Sequence, residues 1–213
     1  MDVTDRRELA RRALDGYPSG PGAPVRATAG AVARLDGAAA LVVVEGISDQ
    51  IAIETAARGR GRDLDAERVV VVPIGGAHAI RPFLAVLGRR GAGAVPLAAL
   101  CDRREEEVVR RALTDAGVGQ LGLFVCVEDL EDELVRAVGV AGVEAVVEAQ
   151  GDLGSFRSLQ NQPAWRGQDP GAQLRRFLGS GSRRKLRYAR LLVEAAARAD
   201  TLPRPLEELL GAV

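Results

Sequence analysis

This sequence predicts an α/β fold: a mainly parallel sheet of about four strands, flanked by helices and followed by a helical extension. Three observations carry the prediction. Apolar, β-branched runs recur at 40–45 (ALVVVE), 68–74 (RVVVVPI), 94–102 (AVPLAALCD) and 121–129 (LGLFVCVED). Segments of helical spacing separate them: ISDQIAIETAARG, AHAIRPFLAVLGRR and EEEVVRRALTDAG. From residue 130 onward the patterned segments are all helical. Continuous apolar strands alternating with helices mark a parallel sheet covered on both faces.

Taken in order, residues 4–15 read as a short helix with Thr4 as a candidate N-cap, and the Gly/Pro/Ser stretch GYPSGPGAP (16–24) stops it. Val25, Ala29, Val32 and Leu35 keep helical spacing until Asp36-Gly37 turns the chain. The alternating strands and helices follow, without internal repeat. After them come LEDELVRAVG, GVEAVVEAQ, QLRRFLG and RRKLRYARLLVEAAARA, and LPRPLEELLGAV closes the chain as one more short helix. In the longest of these, Leu186, Ala189, Leu192 and Val193 share one face, with Arg183, Arg184, Arg187 and Arg190 largely elsewhere. The expected division is an N-terminal arm and linker at 1–37, an α/β domain at 38–138, and a basic helical extension at 139–213.

A chain of 213 residues is long enough for one full core. Its 47% hydrophobic and 27% charged residues are those of a globular protein, and only 3% aromatics leave the core to Val, Leu, Ile and Ala. The start, MDVTDRRELARR, lacks an apolar targeting segment, and no apolar run reaches the ~18 residues of a membrane span. A cytoplasmic protein is therefore expected. Two cysteines, Cys101 and Cys126, make no disulfide framework and read as buried thiols. The net charge of +0 conceals a split: 12 acids against 5 bases over 101–150, then 6 acids against 11 bases over 151–213. Such asymmetry suggests a metal site beside a track for a polyanion.

In open parallel sheets, ligands sit beyond the carboxyl ends of the strands, and acids fall there repeatedly. Glu45 closes the first strand and Asp49 lies one turn later, within VVVEGISDQ. Asp102 closes the third strand; Glu128 and Asp129 close the fourth, with Glu131, Asp132 and Glu133 immediately after. Such a cluster repels itself unless a divalent cation compensates it. Carboxylate oxygens without His or Cys favour Mg²⁺ or Mn²⁺. Gly46 is expected to let the backbone turn tightly and approach a phosphate. The competing reading of acids at strand ends is helix N-capping, which suits Asp129 and Glu105 best. The amides of Gly75-Gly76 could cradle a phosphate but fit a plain turn better, and those of the loop Gly179-Ser180-Gly181-Ser182 could face a phosphate but fit an ordinary loop and cap better. His78 reads as a helix-start or surface residue, and Trp165 as packing or a base-stacking platform. The arginines 183, 184, 187 and 190 form a candidate contact to a nucleic-acid backbone, one that positions without reading sequence.

In this order, VVVEGISD, LCD and VCVEDLEDEL resemble the TOPRIM domain, a Rossmann-like metal-binding fold of primases, topoisomerases and small nucleases. The stretch from about 40 to 135 is most similar to the TOPRIM nuclease part of the OLD (overcoming lysogenization defect) family endonucleases. The resemblance implies Mg²⁺- or Mn²⁺-dependent cleavage of DNA. It implies that Glu45, Asp49 and Asp102 are metal-site residues, with Glu45 also catalytic. Glu128 or Glu131 becomes a further ligand, and Lys185, the only lysine, a phosphate or transition-state contact. Two departures stand out. The family's Asp-x-Asp is here Asp102-Arg103-Arg104, so Arg104 occupies the place of a carboxylate and a second ion is expected to bind poorly. OLD proteins also carry an ATPase, whereas this chain has no G-x-x-x-x-G-K-[ST], so any ATP dependence would come from a separate chain. The alternative expectation is a catalytically weak TOPRIM module that binds nucleic acid or a partner ATPase. Topoisomerase activity is not expected, because a nucleophilic tyrosine sits on a separate domain in those enzymes.

Overall fold

The structure, a computed structural model, describes residues 8, 11–12, 14–89, 95–117 and 120–213. The expected Thr4 cap and most of the first helix lie outside the described residues.

Helix α1 (Ala23–Val32) has proline inside its first turn, where the missing amide costs nothing. Its buried face is Ala23, Ala27 and Ala31, continued by Leu35. The expected stripe through Val25 and Ala29 is a correction: Val25 is 73% exposed. In this alanine-rich helix the small residues allow close approach to the sheet, and the choice of face follows that approach rather than side-chain size.

Strand β1 (Ala40–Val44), helix α2 (Ile47–Gly59), strand β2 (Val69–Pro73), a short 3₁₀ turn (Ala77–Ala79) and helix α3 (Ile80–Arg89) follow. Strand β3 (Leu97–Asp102), helix α4 (Glu106–Ala116) and strand β4 (Gln120–Cys126) complete the α/β unit. The four strands are parallel, in the order β2-β1-β3-β4. Leu41 through Val44 are at most 2% exposed, as a central strand covered on both faces requires. The strand period of two divides its residues: Ala40, Val42 and Val44 join one core, Leu41 and Val43 the other. The second of these cores is closed by α3 and α4, through Ile80, Phe83, Leu84, Leu87, Val109 and Leu113.

Six helices follow: α5 (Leu130–Val138), α6 (Val140–Ala149), α7 (Leu153–Gln160), α8 (Pro170–Leu178), α9 (Ser182–Arg198) and α10 (Arg204–Ala212). Helix α7, LGSFRSLQ, has no counterpart among the expected elements. Its sequence is short and polar, and the burial of Phe156 and Leu159 decides its state. These helices supply Val143, Phe156, Phe177, Leu192 and Leu206 to the same core that holds Val42, Val44 and Ile53. The apolar core runs across the expected boundary at residue 138, with Leu134 and Val135 before it and Val143 and Val147 after it in the same cluster. Helix α9 packs along α2 so closely that a Cβ added to Gly59 would lie 2.8 Å from the Ala197 Cβ. No helix among the described residues is long and apolar enough to cross a membrane.

Candidate metal centre

Beside β1, the chain proceeds to β2 on one side, and β3 lies on the other. The crevice of a parallel sheet opens at such a switch point, beyond the strand ends. Val43 stands opposite Ala99, so the carboxyl ends of β1 and β3 meet there. Glu45 leaves β1 at this point and Asp102 ends β3. Glu105, at the entrance of α4, returns to the same place. One carboxylate oxygen from each of the three lies within 4.8 Å of the others.

The backbone around Glu45 is clamped. The amides of Gly75 and Gly76 both donate to the Glu45 carbonyl oxygen, at 2.9 and 3.1 Å. Their φ angles of 83° and 113° are ones that favour glycine. These amides therefore hold the end of β1, and the phosphate-cradle reading of this pair gives way to a turn. Gly46 also departs from expectation. It is extended, at φ −146° and ψ 179°, and an added Cβ would lie 3.7 Å from Asp49 Oδ2, an ordinary contact. What the site uses is its amide, which donates to Asp49 Oδ2 at 2.8 Å. Asp49 thus closes the first turn of α2 and carries its charge to the rim.

Burial raises the Asp49 pKa to about 6, against the opposing pull of Lys185 and of the Gly46 amide. Asp102 rises to about 7, through burial first and then the negative charges of Asp49, Glu45 and Asp129. Glu105 also rises to about 7, through burial first and then the neighbouring Glu45 carboxylate. Glu105 Oε2 is buried and has no hydrogen-bond partner. A buried carboxylate oxygen without a partner, beside two further carboxylates within 4.8 Å, is what a hard divalent cation relieves. The residues fit such an ion, and oxygen donors alone suit Mg²⁺ or Mn²⁺.

The other expected residues divide. Lys185 reaches the rim from α9, its Nζ 3.4 Å from Glu131 Oε1. Burial would lower the Lys185 pKa, but the charges of Glu131, Asp49 and Asp102 outweigh it and the net shift is upward. Glu131 is accordingly a partner of Lys185, outside the three-carboxylate cluster. Burial raises its pKa, and Lys185 opposes the rise. Glu128 is half exposed between Arg175 at 3.4 Å and Arg104 at 3.6 Å. Asp129 caps α5 through the Asp132 amide at 2.8 Å and binds Arg175 at 2.7 Å. Arg104, which stands where a carboxylate was expected, projects to solvent. The carboxylate returns one residue later as Glu105. In the sequence Glu105 reads only as a cap, yet it makes no capping hydrogen bond. The signal available was its position three residues after Asp102, at the mouth of a helix.

Among the arginines of α9, Arg183 is exposed. Arg184 donates to Ser180 and lies 4.2 Å over the Phe177 ring. Arg190 binds Glu194 at 2.9 Å. Arg187 is buried against Asp152 and belongs to packing as much as to any surface. Tyr188 is buried, donating to the same Asp152 oxygen at 3.0 Å, which removes it as a nucleophile. His78 is exposed on the 3₁₀ turn, and Trp165 packs at the edge of the core. Both cysteines are buried, and burial pushes the Cys101 thiol up to about 12.

Residues 38–103 match the profile of the TOPRIM domain of overcoming lysogenization defect protein-like sequences. Over this segment the chain is similar to an OLD-like TOPRIM domain. The match contains Glu45, Asp49 and Asp102 and stops just short of Glu105. Among solved structures, the C-terminal region of the Burkholderia pseudomallei OLD protein superposes with a TM-score of 0.54 at 20% identity, over 82% of this chain and 96% of that one. The C-terminal region of the Xanthomonas campestris pv. campestris OLD protein gives 0.55 at 19% identity, over 83% and 94%. At these identities the likeness is one of fold, and it extends past the TOPRIM segment into the C-terminal helices. No curated protein sequence matches the chain.

Proposed function

We propose that the chain is a divalent-metal-dependent nuclease that hydrolyses phosphodiester bonds of DNA. The observation that carries this reading is the meeting of Glu45, Asp102 and Glu105 at the switch point of an OLD-like TOPRIM sheet, with Lys185 facing them. Glu45, Asp102 and Glu105 would hold Mg²⁺ or Mn²⁺. When bound, the ion polarises a phosphoryl oxygen and makes water a nucleophile near neutral pH.

The remaining work falls to the chain's own groups. The Gly75 and Gly76 amides keep Glu45 in place through its carbonyl. Asp49 tethers the Gly46 amide, so the β1–α2 turn holds its shape when a phosphate arrives. Lys185 brings one ammonium toward the charge that develops on the phosphoryl oxygens, as fixed cations do in such sites. Glu131 orients that ammonium.

Incubation with Mn²⁺ and supercoiled plasmid tests the reading. Metal-dependent nicking, stopped by EDTA and abolished in Glu45→Ala while the thermal melt stays cooperative, is the expected outcome. An alanine variant that nicks like the parent protein would remove the site from the chemistry.

A further inference from the structure

On the far side of α9 from the carboxylates lies a second feature, which the proposed hydrolysis does not use. A groove of about 940 Å³ runs between the first turn of α9 and residues 14–19 of the N-terminal segment. Arg11, Arg183, Arg184, Arg187, Ser180 and Ser182 line it, against the two acids Asp15 and Asp152. The helix enters through Gly181 without a side-chain cap, so the amides of Ser182, Arg183 and Arg184 are the donors that helix geometry leaves open. The positive end of the helix dipole points the same way.

The charge in this groove is under-compensated. Asp152 Oδ2 alone receives the Arg187 guanidinium and the Tyr188 hydroxyl, and Arg184 Nε lies 4.0 Å from it. Two guanidinium groups therefore share one carboxylate oxygen. The Nε atoms of both Arg184 and Arg187 are buried without a hydrogen-bond partner, although Arg187 is only 8% exposed. Arg11 is ion-paired with Glu8, and Arg183 is exposed and makes no ion pair among the described residues. The Ser180 hydroxyl is spent on the Phe177 carbonyl, but partly desolvated guanidinium groups with too few anions, open helix amides and the Ser182 hydroxyl make a receptor for a tetrahedral oxyanion.

We propose that this groove binds a backbone phosphate of the strand being cut, a few nucleotides from the scissile bond. The identity of the ligand rests on the proposed nuclease function; the anion chemistry does not. One helical turn presents both sites, since Lys185 faces the carboxylates while Arg183, Arg184 and Arg187 face the groove. An α-helix is about 10–12 Å across and a strand rises ~3.4 Å per nucleotide. A strand crossing the first turn of α9 thus places roughly three nucleotides between the two sites. The groove positions the strand, and the carboxylates act on it.

The test measures binding of a short fluorescent single-stranded oligothymidylate in EDTA, where no cleavage takes place, across a series of salt concentrations. Two variants probe the groove without touching Asp152. Arg183→Ala removes an exposed guanidinium. Ser182→Pro removes a hydroxyl and one amide donor at a helix position that tolerates proline. Each is expected to weaken binding about tenfold, and Arg183→Ala to flatten the log–log salt slope by about 0.7. Mn²⁺ titration of both variants should match the parent protein. Parental affinity and salt slope in both variants would overturn the proposal, whatever the plasmid assay shows. Inorganic phosphate that stabilises the parent but not the variants, while all bind the oligonucleotide alike, would reassign the groove to a free phosphate and also overturn it. Weakened variants in a protein that never nicks plasmid would leave the groove standing and remove the nuclease reading instead.

Discussion

Replacing Glu105 by glutamine separates the electrostatics of the candidate centre from its packing. The change keeps the shape and removes one of three carboxylates whose oxygens lie within 4.8 Å of one another. Two unit charges at that distance repel by about 3 kcal/mol at an effective dielectric of 20. Screening at this half-exposed rim reduces the figure to about 1–2 kcal/mol. Glu105 is a carboxyl whose folded-state pKa is raised, from 4.5 to about 7. Its charge therefore costs nothing while both states are protonated, below about pH 4.5. The cost grows as pH rises toward about 7 and is constant above. Metal-free Glu105→Gln should accordingly melt about 2–8 °C above the parent protein at pH 8, given about 2–4 °C per kcal/mol for a chain of this length. At pH 4.5 the two should melt together. Saturating Mn²⁺ should reverse the order at pH 8, because the ion stabilises the parent by mass action and the variant binds it weakly. Differential scanning fluorimetry over pH and Mn²⁺ reads all three. A variant less stable than the parent at pH 8 without metal, or one that keeps the full Mn²⁺ shift, would refute the assignment of Glu105 to the centre.

Other perturbations probe neighbouring parts. Lys185→Met should lower nicking about a hundredfold or more, while calorimetry shows Mn²⁺ affinity held or improved, because an ammonium near Asp49 and Asp102 opposes a second cation. Arg187→Ala should cost about 3–5 kcal/mol in denaturant melts by leaving Asp152 buried without its main cation. Arg183→Ala should stay within about 0.5 kcal/mol of the parent. Gly59→Ala should cost about 1–3 kcal/mol in the same melts, since its methyl meets Ala197 on α9 and two packed helices must part. Equal stability of that variant would mean that the α2–α9 contact is looser than its geometry.

Much of the sheet was legible in the chain alone. Runs such as ALVVVE and RVVVVPI are apolar on both alternating faces, the pattern of a strand covered on both sides, and the helices between them make the sheet parallel. Their order with the intervening helices fixes the class of fold, and because parallel strands all end on one rim, it also places Glu45 and Asp102 on that rim. That much is local periodicity plus topology, and both are written in sequence. Strand order is not, and it decides which rim residues touch. Placing β3 directly beside β1 joins Glu45 to Asp102, while Glu128, at the end of β4, is drawn to arginines instead.

The finer placements were tertiary decisions for the same reason. Glu105 looks like a cap in sequence and becomes part of the centre because the mouth of α4 opens onto the end of β1. Arg187 looks like surface charge and is buried, because Asp152, which also accepts from the neighbouring Tyr188, draws its guanidinium in. Helix α7 has too weak a local signal to be seen, and forms because Phe156 and Leu159 find the core that the sheet and the later helices share. Local pattern determines which elements exist. Which side chains meet depends on contacts between residues far apart in the chain, and no periodicity encodes those.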